Sequence, residues 1–209
     1  MGKEMKKTEQ LQVHNKPAVP RLKDVAIGYV SLLFICSAAL FVFVQMDMVS
    51  MQRLLAFETP LLMVFLVLGC SLGLILFGVW MTYLVAEEYI HESNKEYANQ
   101  SLCYIFIFMS LAGLFEELLF RGIIQNLLYV VFDEKWVAII ASSALFVAFH
   151  FSYFKTPIML LNIVIPSLLF GSLYGATNNL MVPVIVHVAM NVGVTLLFKY
   201  KVIVLKKDK

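Results

Sequence analysis

Charge is scarce in this sequence: Asp, Glu, Lys and Arg make up 14% of its 209 residues, against roughly 25% in an average soluble domain. A water-exposed globule is not built this way. Cysteine is scarce too. Cys36, Cys70 and Cys103 lie in or beside apolar stretches, form no CxxC pair and supply no even framework, which excludes a disulfide scaffold and a zinc ribbon. No HExxH occurs, so the spacing of a zinc protease helix is missing. Nor is there an internal repeat, a low-complexity tract or a linker between two cores, which leaves a single domain.

What fills the chain is hydrocarbon. Hydrophobic residues reach 61% and the mean hydropathy is +0.84. Apolar runs close to the ~20 residues needed to cross a bilayer as a helix recur along the sequence. Six are expected: Val25 to Phe43, Leu61 to Val85, Leu102 to Phe132 (long, and so tilted or broken), Trp136 to Phe151, Pro157 to Ala176, and Met181 to Phe198. The expected fold is therefore all-α, a polytopic membrane bundle over residues 21–200, with a disordered tail at 1–20 and a basic tail at 201–209. Pro166 should bend the fifth span, and Gly171 with Gly175 forms a small-xxx-small pair suited to close helix contact.

Basic residues mark the ends. Six of the sixteen Lys and Arg fall in residues 1–23 and five in 199–209, so both termini are expected on the cytoplasmic side of a cell membrane, in agreement with an even number of crossings. These flanks are topogenic and do not imply nucleic-acid binding. The apolar run after "SAAL" continues through "FVFV", so the first span is expected to stay uncleaved. Neither end carries a lipidation signal.

Against this background a few polar side chains stand out. An ionisable group at the membrane midplane costs on the order of 2.5–3.5 kcal/mol on insertion scales, so such groups face a bundle interior or a hydrated cavity. "GLFEELLFRG" at 113–122 holds Glu116, Glu117 and Arg121; "FVAFH" ends in His150; "HVAMN" holds His187 and Asn191. Residues four apart share a helical face, whereas neighbours point about 100° apart. Glu117 and Arg121 are thus the natural ion pair, and Glu116 turns away from it. That makes Glu116 the candidate general base. His187 and Asn191 share a face and could donate hydrogen bonds to a developing oxyanion. His150, with Phe146 one turn before it, could help hold a water. Water-attack hydrolysis, interhelical adhesion, a proton or ion relay, and zinc bound by Glu116, His150 and His187 all remain open on these residues; no inverted repeat supports a transporter.

In order, "EELLFR" at 116–121, "FVAFH" at 146–150 and "HVAMN" at 187–191 resemble the EExxxR, FxxxH and HxxxN/D motifs of the CPBP family, also called the Abi or type II CAAX prenyl endopeptidase family. The resemblance covers roughly residues 100–198, including the glycine-containing "GSLYGATNNLMVPVIVH". It implies a glutamate-type intramembrane endopeptidase without a cofactor. Glu116 would be the base, His150 its partner in activating water, and His187 with Asn191 the oxyanion-binding pair; Glu117, Arg121 and Phe146 would be supporting residues.

The family's eukaryotic and archaeal members remove the last three residues of prenylated CAAX proteins. Small members in Gram-positive bacteria are linked to bacteriocin self-immunity, peptide-pheromone processing or regulation of membrane sensors. The size and lysine-rich tail of this chain resemble the bacterial kind, with a peptide or membrane-protein substrate and a bacteriocin or its receptor as candidate partners. The competing readings are a non-catalytic immunity or regulatory protein that binds a receptor or sensor kinase, a zinc-dependent prenyl protease, and a transporter.

Overall fold

The computed structural model describes residues 21–84, 97, 99–155 and 157–203. The tail expected at 1–20 and most of that at 201–209 lie outside the described residues. Every described helix belongs to an all-α bundle. The chain runs through α1 (Leu22–Gln45), the short α2 (Met51–Leu55), α3 (Pro60–Leu84) and α4 (Leu102–Glu117). A π-helical segment (Leu118–Gln125) joins α4 to α5 (Asn126–Phe132) without a break. Then come α6 (Lys135–Phe149), a 3-10 turn (Phe151–Lys155), α7 (Pro157–Thr177) and α8 (Met181–Lys199).

Five helical stretches are long and apolar enough to cross a membrane, the continuous Leu102–Phe132 among them. The fourth expected span differs: α6 has 15 residues, about 22 Å at the helical rise, which is short of the ~30 Å hydrocarbon core. It stops because His150 leaves the helix as its C-cap and the chain turns through Phe151–Lys155. The third span is neither broken nor purely α-helical; it is continuous and rewound into π geometry in its middle.

Hydrophobicity is turned inside out relative to a soluble protein. Only 6% of the α1 window and 17% of the α3 window are buried, and large side chains such as Phe34, Phe41, Leu61 and Phe65 point outward. Lipid is the solvent that such faces match. The interior, by contrast, holds Glu117, Arg121, Gln125, Asn126, Ser142, Ser143, Ser167 and His187.

Helix α8 packs against α3, α4 and α7, so it forms the axis of the bundle. It runs antiparallel to α4, since His187 meets Glu117 while Lys199 Nζ donates to the Gln100 carbonyl. Helix α1 runs parallel to α4, Tyr29 meeting Phe108 and Leu40 lying over Gly122. The start of α1 and the end of α8 therefore share one end of the bundle. At the other end the α2–α3 and α7–α8 connections are stapled: Ala56 N–H donates to Asn178 O at 2.9 Å and Leu180 N–H to Leu54 O at 2.8 Å.

Small residues permit the close packing. A Cβ on Gly171 would sit 3.1 Å from Gln125 Oε1 and 3.2 Å from Ile139 Cγ2; one on Gly193 would come within 2.6 Å of Ile75 Cδ1. Gly193→Val should therefore push α3 from α8 and cost about 1–3 kcal/mol, read as a lowered thermal unfolding temperature in lipid nanodiscs. An unchanged midpoint would show that the α3–α8 contact is looser than this.

Candidate active site

The site begins with a winding change. Where α4 passes into the π-helical segment, the wider turn leaves carbonyls without their usual donors, and Asn126 Nδ2 meets two of them, Arg121 O at 3.1 Å and Gly122 O at 2.8 Å. Tyr174 Oη lies 2.7 Å from the same nitrogen. This segment sets the directions of Glu116, Glu117 and Arg121.

Glu117 and Arg121 are fully buried. Arg121 Nη1 donates to Glu117 Oε1 at 3.2 Å, and Nε lies 3.2 Å from Oε2. Nη2 donates to the carbonyl and the hydroxyl of Ser167, at 2.7 and 2.9 Å. The guanidinium also lies over the Phe146 ring, 4.9 Å from its centroid. The four-residue spacing thus does produce an ion pair.

The sequence did not reveal what the pair holds. His187 Nδ1 lies 2.8 Å from Glu117 Oε1, so Glu117 positions the imidazole rather than its neighbour Glu116. A carboxylate only accepts, which assigns the ring proton to Nδ1 and leaves Nε2 free. Nε2 faces Glu116 Oε2 at 3.7 Å. Phe170 stacks on the ring at 4.6 Å and closes its other side.

Glu116 does turn away from the pair and keeps partial access, its side chain being 21% exposed. It lines a cavity of about 470 Å³ together with His150, His187, Asn191 and Phe146. His150 Nδ1 lies 2.9 Å from the Phe146 carbonyl, which fixes the proton there and points Nε2 elsewhere as an acceptor. Phe146 also stacks on His150 at 4.6 Å. Its place one turn before the histidine thus serves as backbone acceptor and ring support. Among the described residues no hydrogen bond joins Glu116 to His150; the cavity lies between them.

The cavity extends from this level toward the bundle end that holds Leu22 and Lys199. Its wall takes in Tyr29 of α1, Met81 and Thr82 near the end of α3, Tyr97, and Thr195 and Phe198 near the end of α8. Among the described residues no three His, Cys, Asp or Glu side chains come together as a group able to hold a metal ion. Glu116, His150 and His187 share the cavity without forming such a ligand set.

With this geometry in place, comparison with known proteins bears on the same half of the chain. Residues 98–193 match the family model described as type II CAAX prenyl endopeptidase Rce1-like. This motif-bearing segment, just under half of the chain, is similar to that family. It begins just before α4 and ends within α8, so it contains all three motifs while α1 and α3 fall outside it. A curated relative, "Uncharacterized protein YpbD" of Bacillus subtilis (strain 168), is 30% identical over 95 residues, and that stretch is 46% of this chain and 46% of the relative. The alignment thus spans about half the length of each. No solved structure matches the chain.

Sequence reasoning missed Ser167, Gln125 and Phe170, all within the matched segment. A serine or a phenylalanine in a membrane helix carries no positional signal of its own. Removing one partner of the buried pair should be costly: Arg121→Ala leaves Glu117 unpaired and is expected to destabilise by about 3–5 kcal/mol, whereas the double change Glu117→Leu with Arg121→Met is expected to cost much less. Thermal unfolding of both variants in nanodiscs measures the difference, and equal losses would show that the pair is not coupled.

Proposed function

We propose that the chain is an intramembrane endopeptidase in which Glu116 activates a water molecule. The observation that carries this reading is the convergence of Glu116 of α4, His150 at the end of α6, and His187 and Asn191 of α8 on one cavity, with His187 Nε2 3.7 Å from Glu116 Oε2.

The steps follow from the donor and acceptor inventory. His150 Nε2 accepts one hydrogen bond from the water, and Glu116 accepts the other hydrogen and removes it as the oxygen attacks the scissile carbonyl carbon. The carbonyl becomes a tetrahedral oxyanion, which Asn191 Nδ2 and His187 Nε2 stabilise by donation. His187 can donate there only with both ring nitrogens protonated; with Glu116 neutral at this step, Glu117, Arg121, His187 and the oxyanion then sum to zero formal charge. Protonated Glu116 returns its proton to the amide nitrogen, the C–N bond breaks, and a carboxylic acid and an amine result, which then exchange a proton to give a carboxylate and an ammonium group. Glu117 and Arg121 take no part in bond making and hold His187 in line.

The substrate is a peptide or the segment of a membrane protein, reaching the site from the bundle end that holds Leu22 and Lys199; the basic flanks favour a cytoplasmic side for that end. We assign the physiological role to bacteriocin self-immunity or peptide processing in a bacterial cell membrane, by analogy with the small bacterial members of the family.

Glu116→Ala and His150→Ala should abolish protection in a bacteriocin-killing assay, or peptide cleavage in vitro, with membrane abundance unchanged. Retained protection would favour a non-catalytic protein that occupies a receptor, and flux that follows the proton gradient would favour transport. Cleavage that survives a strong zinc chelator is expected; its loss, with recovery on adding zinc, would replace the metal-free mechanism.

A further inference from the structure

One wall of the cavity carries a polar pair that the hydrolytic steps leave unused. On α7, Asn162, Pro166 and Phe170 follow at four-residue intervals and all line the cavity, so they form a single face. Phe170, at the inner end of this face, stacks on His187. Ser167 looks the other way and is committed to Arg121.

Pro166 sits inside the helix without an amide hydrogen, so the carbonyl of Asn162, four residues before it, lacks its helical donor. The Asn162 side chain is also underused: its one polar partner among the described residues is Met159 Sδ, 3.7 Å from Nδ2, and a thioether is a weak acceptor. One residue therefore offers both a donor and an acceptor. The wall around it is largely apolar, with Phe77, Met81, Met159 and Ile163.

A peptide in this arm of the cavity needs such a pair. Its main-chain N–H and C=O groups lose water on entry, and an amide buried without partners costs several kcal/mol on alkane-based scales. The described residues contain no strand edge to pair with it. An acceptor and a donor side by side match the N–H and C=O of an extended chain.

We propose that Asn162, through Nδ2 and the carbonyl freed by Pro166, clamps the main chain of an extended peptide substrate. Asn162 lies eight residues before Phe170, about 12 Å along the axis, which an extended chain at ~3.3 Å per residue covers in three to four residues. The clamp thus holds the peptide at that remove from the bond cleaved. Side chains on the substrate are selected loosely, because Met81, Met109, Met159 and Met190 line the same cavity and adapt to different apolar shapes. This inference rests on the hydrolase reading above.

The test uses the full chain in nanodiscs and a fluorescence-quenched library of apolar peptides. The best-cleaved peptide is remade as a series in which each backbone amide in turn becomes an ester, which deletes the N–H donor and weakens the carbonyl acceptor. For the wild type, one ester three to four residues from the cut should lower kcat/KM about tenfold, chiefly through KM. Pro166→Ala, which gives the Asn162 carbonyl back its helical donor, should lower cleavage of the parent peptide by a similar factor and be indifferent to that ester, while responding to the other esters as the wild type does. If Pro166→Ala does not fold, Asn162→Ala, which removes only Nδ2, is held to the same criterion for the neighbouring ester, the one that weakens the carbonyl facing Nδ2. The assignment is overturned if the variant feels its ester as strongly as the wild type, or if the sensitive amide adjoins the scissile bond. Glu116→Gln separates the two ideas. Cleavage that needs Glu116 but shows no ester effect dependent on Pro166 or Asn162 removes only the clamp, whereas no cleavage, or cleavage indifferent to Glu116, removes the hydrolase reading and the clamp with it.

Discussion

The interaction on which the rest depends is the fully buried ion pair between Glu117 and Arg121. In a low-dielectric interior neither charge could stand alone, because the effective desolvation penalty amounts to several kcal/mol per ion. The hydrogen bonds that the pair makes outside itself therefore constrain its neighbours. Arg121 ties the π-helical segment to Ser167 of α7, and Glu117 ties α4 to His187 of α8. One ion pair thus fixes the relative positions of α4, α7 and α8.

The pair also divides the two glutamates into different kinds of group. Glu117 is enclosed between Arg121 and His187, while Glu116 opens on the cavity. Two carboxylates adjacent in sequence acquire these separate environments because a helical step of about 100° takes them to different faces. The same division recurs on α7, where Asn162, Pro166 and Phe170 face the cavity and Ser167 with Gly171 faces the polar interior. Each helix that borders the site is thus two-sided in polarity, and the side turned to lipid is a third, uniformly apolar surface.

Legibility in the sequence followed the strength of the physical penalty. Charged residues inside apolar runs are so costly that Glu116, Glu117 and Arg121 had to mark an interior, and their spacing was enough to pair Glu117 with Arg121. The long spans were equally plain, since hydrocarbon length is a direct count of residues. The fourth expected span, Trp136 to Phe151, matches α6 to within two residues at each end, and what hydropathy did not register is the backbone turn at His150 that stops it. The π winding of Leu118–Gln125 was likewise invisible, since it changes the hydrogen-bond ladder and leaves the hydrophobic pattern nearly unaltered. Glu117 was expected to support Glu116, and it meets His187 instead, through a contact between residues 70 positions apart.

By itself, then, the sequence determined that this chain is an α-helical membrane protein and which few polar residues its interior must accommodate, because transfer of charge and of apolar surface is paid residue by residue. The tertiary structure alone decided which nitrogen of each histidine is left free, which glutamate reaches the cavity, and where a proline leaves a carbonyl open to a ligand. Those outcomes depend on contacts between distant helices and on the winding of a single turn, and local composition carries no record of either.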